Sequence, residues 1–214
     1  ALVFLAMAAS YFIPPIQSPD ENQHFARAYM LSKGDILLET LPEKMSGGYV
    51  DDGLYEFIKG NLKISGQSDA KLSEEEKFRL KNIHWSGSEK KSFMEIPGTG
   101  FYLPLIYLPH AIPIKIGEAI DISIYKTYLF TRFFLISISI ALMLWAFSIT
   151  PPSFAALNIL ILPMSIFQLL SPTLDGLTTS LSLVIIAIFY NSFSQPQSRK
   201  YFYLLMGCII LVAC

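Results

Sequence analysis

The sequence predicts an all-α, polytopic membrane protein with one large polar segment inserted near its start. Two observations carry this. Of the 214 residues, 52% are hydrophobic and only 15% are charged, which is apolar for a water-soluble domain. The charges are also segregated: residues 14–100 hold 14 of the 17 acids and 11 of the 16 bases. The second half of the chain is therefore membrane-like in composition. A net charge of -1 excludes the basic face expected of a nucleic-acid binder.

The chain opens on "ALVFLAMAASYFI", residues 1–13, and Pro14-Pro15 ends that run, because proline cannot continue a helix and restrains the residue before it. A spanning helix needs about 20 apolar residues. The opening run is shorter, and so is the closing run from Tyr201 to Cys214. No basic stretch precedes the first run as it would in a signal peptide. The expectation is a fragment cut inside a spanning helix at both ends. Cys208 and Cys214 lack metal-ligand spacing and read as small apolar fillers.

Residues 18–33 read as a helix. Ser18 with Glu21 three positions later forms a capping-box pattern, Pro19 suits the first helical position, and Gly34 is placed to stop the helix after Lys33. Residues 35–100 are polar, with one short exposed helix in "SDAKLSEEEKFRL" that Ser73 or Ser68 could cap. The segment 101–120 is apolar but carries Pro104, Pro109 and Pro113. It is expected to lie along the membrane interface, with Tyr102 and Tyr107 at headgroup depth. The stretch 14–127 thus reads as one extracytoplasmic loop with juxtamembrane helices.

Spans are expected at 128–149, at 153–170 with Pro163 tolerated inside, at 177–192, and from 201 as a truncated one. The short loop "NSFSQPQSRK" carries a basic pair and no acid, so it is placed on the cytoplasmic side. Counting back puts "SPTLDG" outside. If 101–120 does not cross, residues 14–100 lie outside too, and Asp20 and Asp175 face one compartment.

The stretch "SPDENQHFAR", residues 18–27, has two readings. Capping and the helix dipole account for Ser18, Pro19, Asp20 and Glu21. They do not account for His24 and Arg27, which share a helix face with Asp20 at i, i+4 and i+7. Asp175 could likewise be a turn residue, but an acid close to a bilayer surface is a functional candidate by default. Arg132, near the outer end of a span, could snorkel to headgroups or hold a phosphate.

Taken in order, "PPIQSPDENQHFARAYMLSKGD", "FYLPLIYLPHAI", "LFTRFF" and "ILPMSIFQLLSPTLDGL" resemble a bacterial family of polytopic membrane proteins of unknown function that is grouped with the class-C (GT-C) membrane glycosyltransferases. The likeness extends more distantly to protein mannosyltransferases and the lipid A aminoarabinose transferase, although Leu103-Pro104-Leu105 stands where those have a Pro-Pro pair. It implies a GT-C-like helix bundle in the bacterial cytoplasmic membrane with its site on the outer face. The implied activity is transfer of a sugar from a polyprenyl-phosphate donor to a glycan or protein acceptor of the cell envelope. Asp20 would be the general base of an inverting displacement, assisted by Glu21, with His24, Arg27, Arg132 and Asp175 binding substrate. Magnesium or manganese could be held by the carboxylates, but nothing requires it. Two other readings stay open: a transporter or flippase of a lipid-linked glycan, and a non-catalytic membrane scaffold.

Overall fold

The computed structural model describes residues 11–67, 69–87, 91–194 and 199–213. The opening run through residue 10, Ser68, most of the "SQPQ" loop and Cys214 lie outside these. Helix α1 spans Glu21–Ser32, so it starts later than the capping-box pattern suggests. Asp20, not Ser18, occupies the N-cap position, in a left-handed conformation (φ 56°) and with no side-chain cap bond. The Glu21 carboxylate does reach back to the Ser18 amide, at 2.8 Å. The C-terminal stop follows the sequence. Gly34 has φ +94°, Asp35 N–H donates to the Met30 carbonyl at 3.0 Å, and Gly34 N–H donates to Leu31 at 2.9 Å, which is a Schellman motif.

The polar segment is folded, and this corrects the all-α expectation. Strand β1 (Gly47–Asp51) pairs antiparallel with β2 (Lys91–Glu95), with Tyr49 opposite Phe93. Helices α2 (Asp52–Leu62) and α3 (Glu74–Lys81) lie between them in sequence. Leu54, Phe57 and Ile58 of α2 are fully buried, at the i, i+3, i+4 spacing of one helix face. Asp51 starts this helix by accepting the Gly53 and Leu54 amides at 2.8 and 3.2 Å. Ser73 and Glu76 close a complete capping box at the start of α3, as the sequence suggests. Trp85 stacks on Tyr29, with centroids 5.7 Å apart, and its indole donates to the Ile122 carbonyl at 3.1 Å. The polar unit is thereby anchored between α1 and the long helix that follows.

Turns of 3-10 helix at Pro97–Thr99 and Pro104–Tyr107 lead into α4, Leu108–Ala119. Its 12 residues extend only about 18 Å, well short of the roughly 30 Å apolar thickness of a bilayer. Gly117 of α4 sits against Thr127, where an added Cβ would lie 2.3 Å from the hydroxyl, so the missing side chain permits this close approach.

Helix α5 covers Ile124–Ile149 and α8 covers Leu174–Ser194. Ile124–Ile149 and Leu174–Ser192 are long and apolar enough to cross a membrane. The expected single span 153–170 is instead two short helices, α6 (Phe154–Leu160) and α7 (Pro163–Leu170). Proline disfavours the helical conformation of the residue before it, and Leu162 is accordingly extended at φ −59°, ψ 140°. Helix α9 runs from Arg199 to Ala213.

Helices α1, α4, α5 and α8 pack in succession. One core joins Phe25 and Tyr29 of α1, Phe57 of α2, Tyr107, Tyr128 of α5 and Leu174 of α8. The ends of both candidate spans are therefore built into the same core as the polar unit.

Candidate functional site

Two clusters surround the start of α1. The first is buried. Glu21 is fully inaccessible to solvent, and its Oε1 accepts the Ile16 amide at 3.1 Å and the Tyr128 hydroxyl. Arg132 lies 3.8 Å from the same oxygen. Its Nη1 donates to the Ile13 carbonyl at 2.9 Å, and Nη2 donates to the Tyr128 hydroxyl. Burying a carboxylate costs several kcal/mol unless it is paired and hydrogen-bonded, and this network supplies both. Glu21 and Arg132 thus clamp the Pro14–Ser18 turn onto α5, below Asp20. Nη2 also lies 3.4 Å from the Pro14 carbonyl, so the guanidinium contacts backbone as well as the Tyr128 hydroxyl.

The second cluster is open at its rim. His24 Nδ1 lies 2.7 Å from the Tyr107 hydroxyl. Tyr102 and Tyr107 each place a ring centroid 5.8 Å from the imidazole. Tyr107 is also 5.8 Å from His110, whose Nε2 sits 3.2 Å from the Thr173 carbonyl at the foot of α8. The row His24, Tyr107, His110 therefore runs from α1 across α4 to α8. Burial pushes the His24 imidazole below its ordinary pKa, opposed first by the Asp175 carboxylate and then by that of Asp20. Both acids thus lie within electrostatic reach of one imidazole. His110 is driven down to about 4 by burial, with the Thr173 carbonyl opposing, and so is neutral near pH 7. Its Nδ1 is buried without a hydrogen-bond partner.

Asp20 is exposed and accepts a bond from Gln23 Nε2 at 2.9 Å. Asp175 is partly buried in the first turn of α8, where the helix dipole favours an anion, and the Thr173 hydroxyl donates to it at 3.3 Å. Arg27 is buried, and its Nη1 and Nη2 donate to the carbonyls of Asp35 and Ile36 at 3.0 and 2.6 Å, holding the chain that leaves α1. Asp175 and Asp20 thus both act electrostatically on His24, while Glu21, Arg132 and Arg27 fix backbone around α1.

Sequence reading overlooked two members of these clusters and the contact of a third. Tyr107, expected at headgroup depth, is fully buried within the protein, its hydroxyl against His24. Tyr128 and His110 stood inside apolar runs without drawing notice. The only signal for His110 was its i+3 spacing from Tyr107, which puts both on one face.

Residues 2–214 match the family described as "Predicted membrane protein (DUF2142)". The chain belongs to DUF2142. No curated protein and no solved structure matches it. Membership identifies a membrane protein, in agreement with the two candidate spans; the family description names no activity.

Proposed function

We propose that this protein transfers a sugar from a polyprenyl-phosphate donor to an envelope acceptor, with Asp20 as the general base. The observation that carries the reading is the exposed Asp20 carboxylate at the start of α1, one turn from the imidazole of His24 that Tyr107 holds at 2.7 Å; Asp175 and Asp20 both act electrostatically on that imidazole. Asp20 is exposed, and its backbone is fixed by the buried clamp beneath it. It is held so as to take the proton of an acceptor hydroxyl as the oxygen attacks the anomeric carbon. The carbon–oxygen bond to the phosphate breaks, polyprenyl phosphate leaves, and the configuration inverts. A positioned base of this kind contributes about 10²–10⁴-fold. His24, neutral and fixed by Tyr107, and Asp175 border the reacting groups and orient the acceptor. Glu21, Arg27 and Arg132 act as positioning residues.

Among the described residues no group of three or more His, Cys, Asp or Glu gathers as a metal site. Magnesium is commonly held by one or two carboxylates with water and substrate phosphate, and the transfer written above places no step on a metal. The site is proposed to face the extracytoplasmic side of a bacterial inner membrane, reached by lipid-linked donor and by acceptor.

The test uses the full-length protein in liposomes with a radiolabelled polyprenyl-phosphate hexose and envelope acceptors. A new glycosidic bond that Asp20→Asn reduces by at least about 100-fold is expected. Near-normal transfer by that variant, or movement of label across the bilayer with no new bond, would defeat the proposal.

A further inference from the structure

A cavity of about 340 Å³ lies between α2, α3 and the start of α5, at the low end of the roughly 300–1,000 Å³ of small-ligand sites. Its wall on one side is apolar, with Tyr11, Phe12 and Tyr125. Its rim on the other carries Lys71, Lys77 and Lys81, and among the described residues no acid lines it. Lys81 sits over the Tyr125 ring, 5.7 Å from the centroid. Lys77 pairs with Glu74 at 2.6 Å, whereas among the described residues neither Lys71 nor Lys81 has a carboxylate within ion-pair distance. Tyr11 and Phe12 are 63% and 80% exposed, so an apolar wall stands uncovered beside a lysine-bearing rim.

The position of the cavity decides what fits it. Tyr125 is the second residue of α5, a candidate span, so the cavity opens where that span meets the polar unit. Tyrosine at a membrane–water boundary sits at headgroup level, and lysines there attract anionic lipid. We infer that this cavity is a binding site for an anionic glycerophospholipid: its phosphate sits among Lys71, Lys77 and Lys81, and an acyl chain lies along Tyr11 and Phe12. The site is separate from the His24 cluster and does not depend on the transferase reading.

The experiment is calorimetric titration of the purified full-length protein in zwitterionic detergent with dioctanoyl phosphatidylglycerol. Dioctanoyl phosphatidylcholine and glycerol 1-phosphate serve as comparators. Saturable binding of the phosphatidylglycerol is expected, and each lysine is expected to contribute about fivefold in affinity. Lys81→Gln should therefore weaken binding about fivefold, and the triple Lys71→Gln/Lys77→Gln/Lys81→Gln variant by more than about tenfold. A triple Lys44→Gln/Lys59→Gln/Lys91→Gln variant, with the same change in charge away from the cavity, should bind normally. Equal loss in both triples would reduce the effect to net charge and overturn the site. Equal binding of phosphatidylcholine would remove the role of the lysines. Equal binding of glycerol 1-phosphate would replace the lipid with a soluble phosphate.

Discussion

The guanidinium of Arg132 lies 3.8 Å from the carboxylate of Glu21, and neither side chain is more than 1% exposed. The residue that looked like half of a capping box is thus tied to a spanning helix, with Tyr128 between the two. Removing one member of a buried ion pair costs about 3–5 kcal/mol, because the other charge is left uncompensated. Glu21→Gln should lower the thermal midpoint of the purified protein by that order of stability. Glu21→Gln/Arg132→Met should cost less than the sum of the single changes. Additive losses would show that the two residues act independently.

Legibility followed range. The Schellman stop at Gly34, the Ser73 capping box and the two long apolar helices depend on neighbours within a turn, and sequence spacing displays them. The bonds from Tyr107 to His24 and from Tyr128 to Glu21 join residues 83 and 107 positions apart, and no local pattern encodes such pairs. The β1–β2 sheet was hidden for the same reason, since its strands are five residues each and separated by two helices. Pro163 did carry its signal. A proline can be tolerated inside a span, but most of residues 154–164 are exposed, so little packing opposes the break. Asp20, His24 and Asp175 were legible as candidates, because acids and imidazoles are scarce beside apolar runs.

Asp51 gathers more backbone than a helix cap needs. Besides Gly53 and Leu54, its second oxygen accepts the amides of Ser86 and Gly87 at 2.8 and 3.0 Å. One buried carboxylate therefore fixes both the start of α2 and the chain returning toward β2. Asp51→Ala should cost about 2 kcal/mol or more, above an ordinary cap. Limited proteolysis should then cut around residues 82–87 while α5 stays intact. An unchanged digestion pattern would show that the strand pairing alone holds this segment.

Gly117 and Thr127 set the spacing of α4 against α5. A methyl group at 117 would overlap the Thr127 side chain, which is buried and β-branched and has little room to turn. Gly117→Ala should destabilise by about 1–3 kcal/mol through overpacking, and adding Thr127→Ala should restore most of it. Failure of that rescue, measured by thermal unfolding, would mean that α4 is positioned by other contacts.

The two histidines make stability depend on pH with a definite sign. Both imidazoles have folded pKa values below 6.5, with His110 at about 4. Between these values the unfolded chain binds more protons, so stability rises with pH through the window. Above pH 6.5 both states are neutral at these positions and the contribution is flat. As pH falls from 6.5 to about 4, His110 should account for a loss on the order of 3 kcal/mol. His110→Gln should flatten that part of the profile. An identical slope in wild type and variant would place the titration elsewhere.

The shared site requires Asp20 and Asp175 to face one compartment. Helix α4 is only 12 residues long, and the proposed site needs the chain between α1 and α5 to stay on one side of the bilayer, so both acids should be reached from the same side. In full-length protein with its native cysteines replaced, Asp20→Cys and Asp175→Cys should each react in intact cells with a membrane-impermeant thiol reagent. Prior treatment from that side should block both. In the double variant, the proposed shared site predicts that a bifunctional thiol reagent links the two positions. Labelling of position 20 with protection of position 175 until the cells are opened would place the acids on opposite faces. The transferase reading would then lose its second carboxylate, and His24 would stand with Asp20 alone.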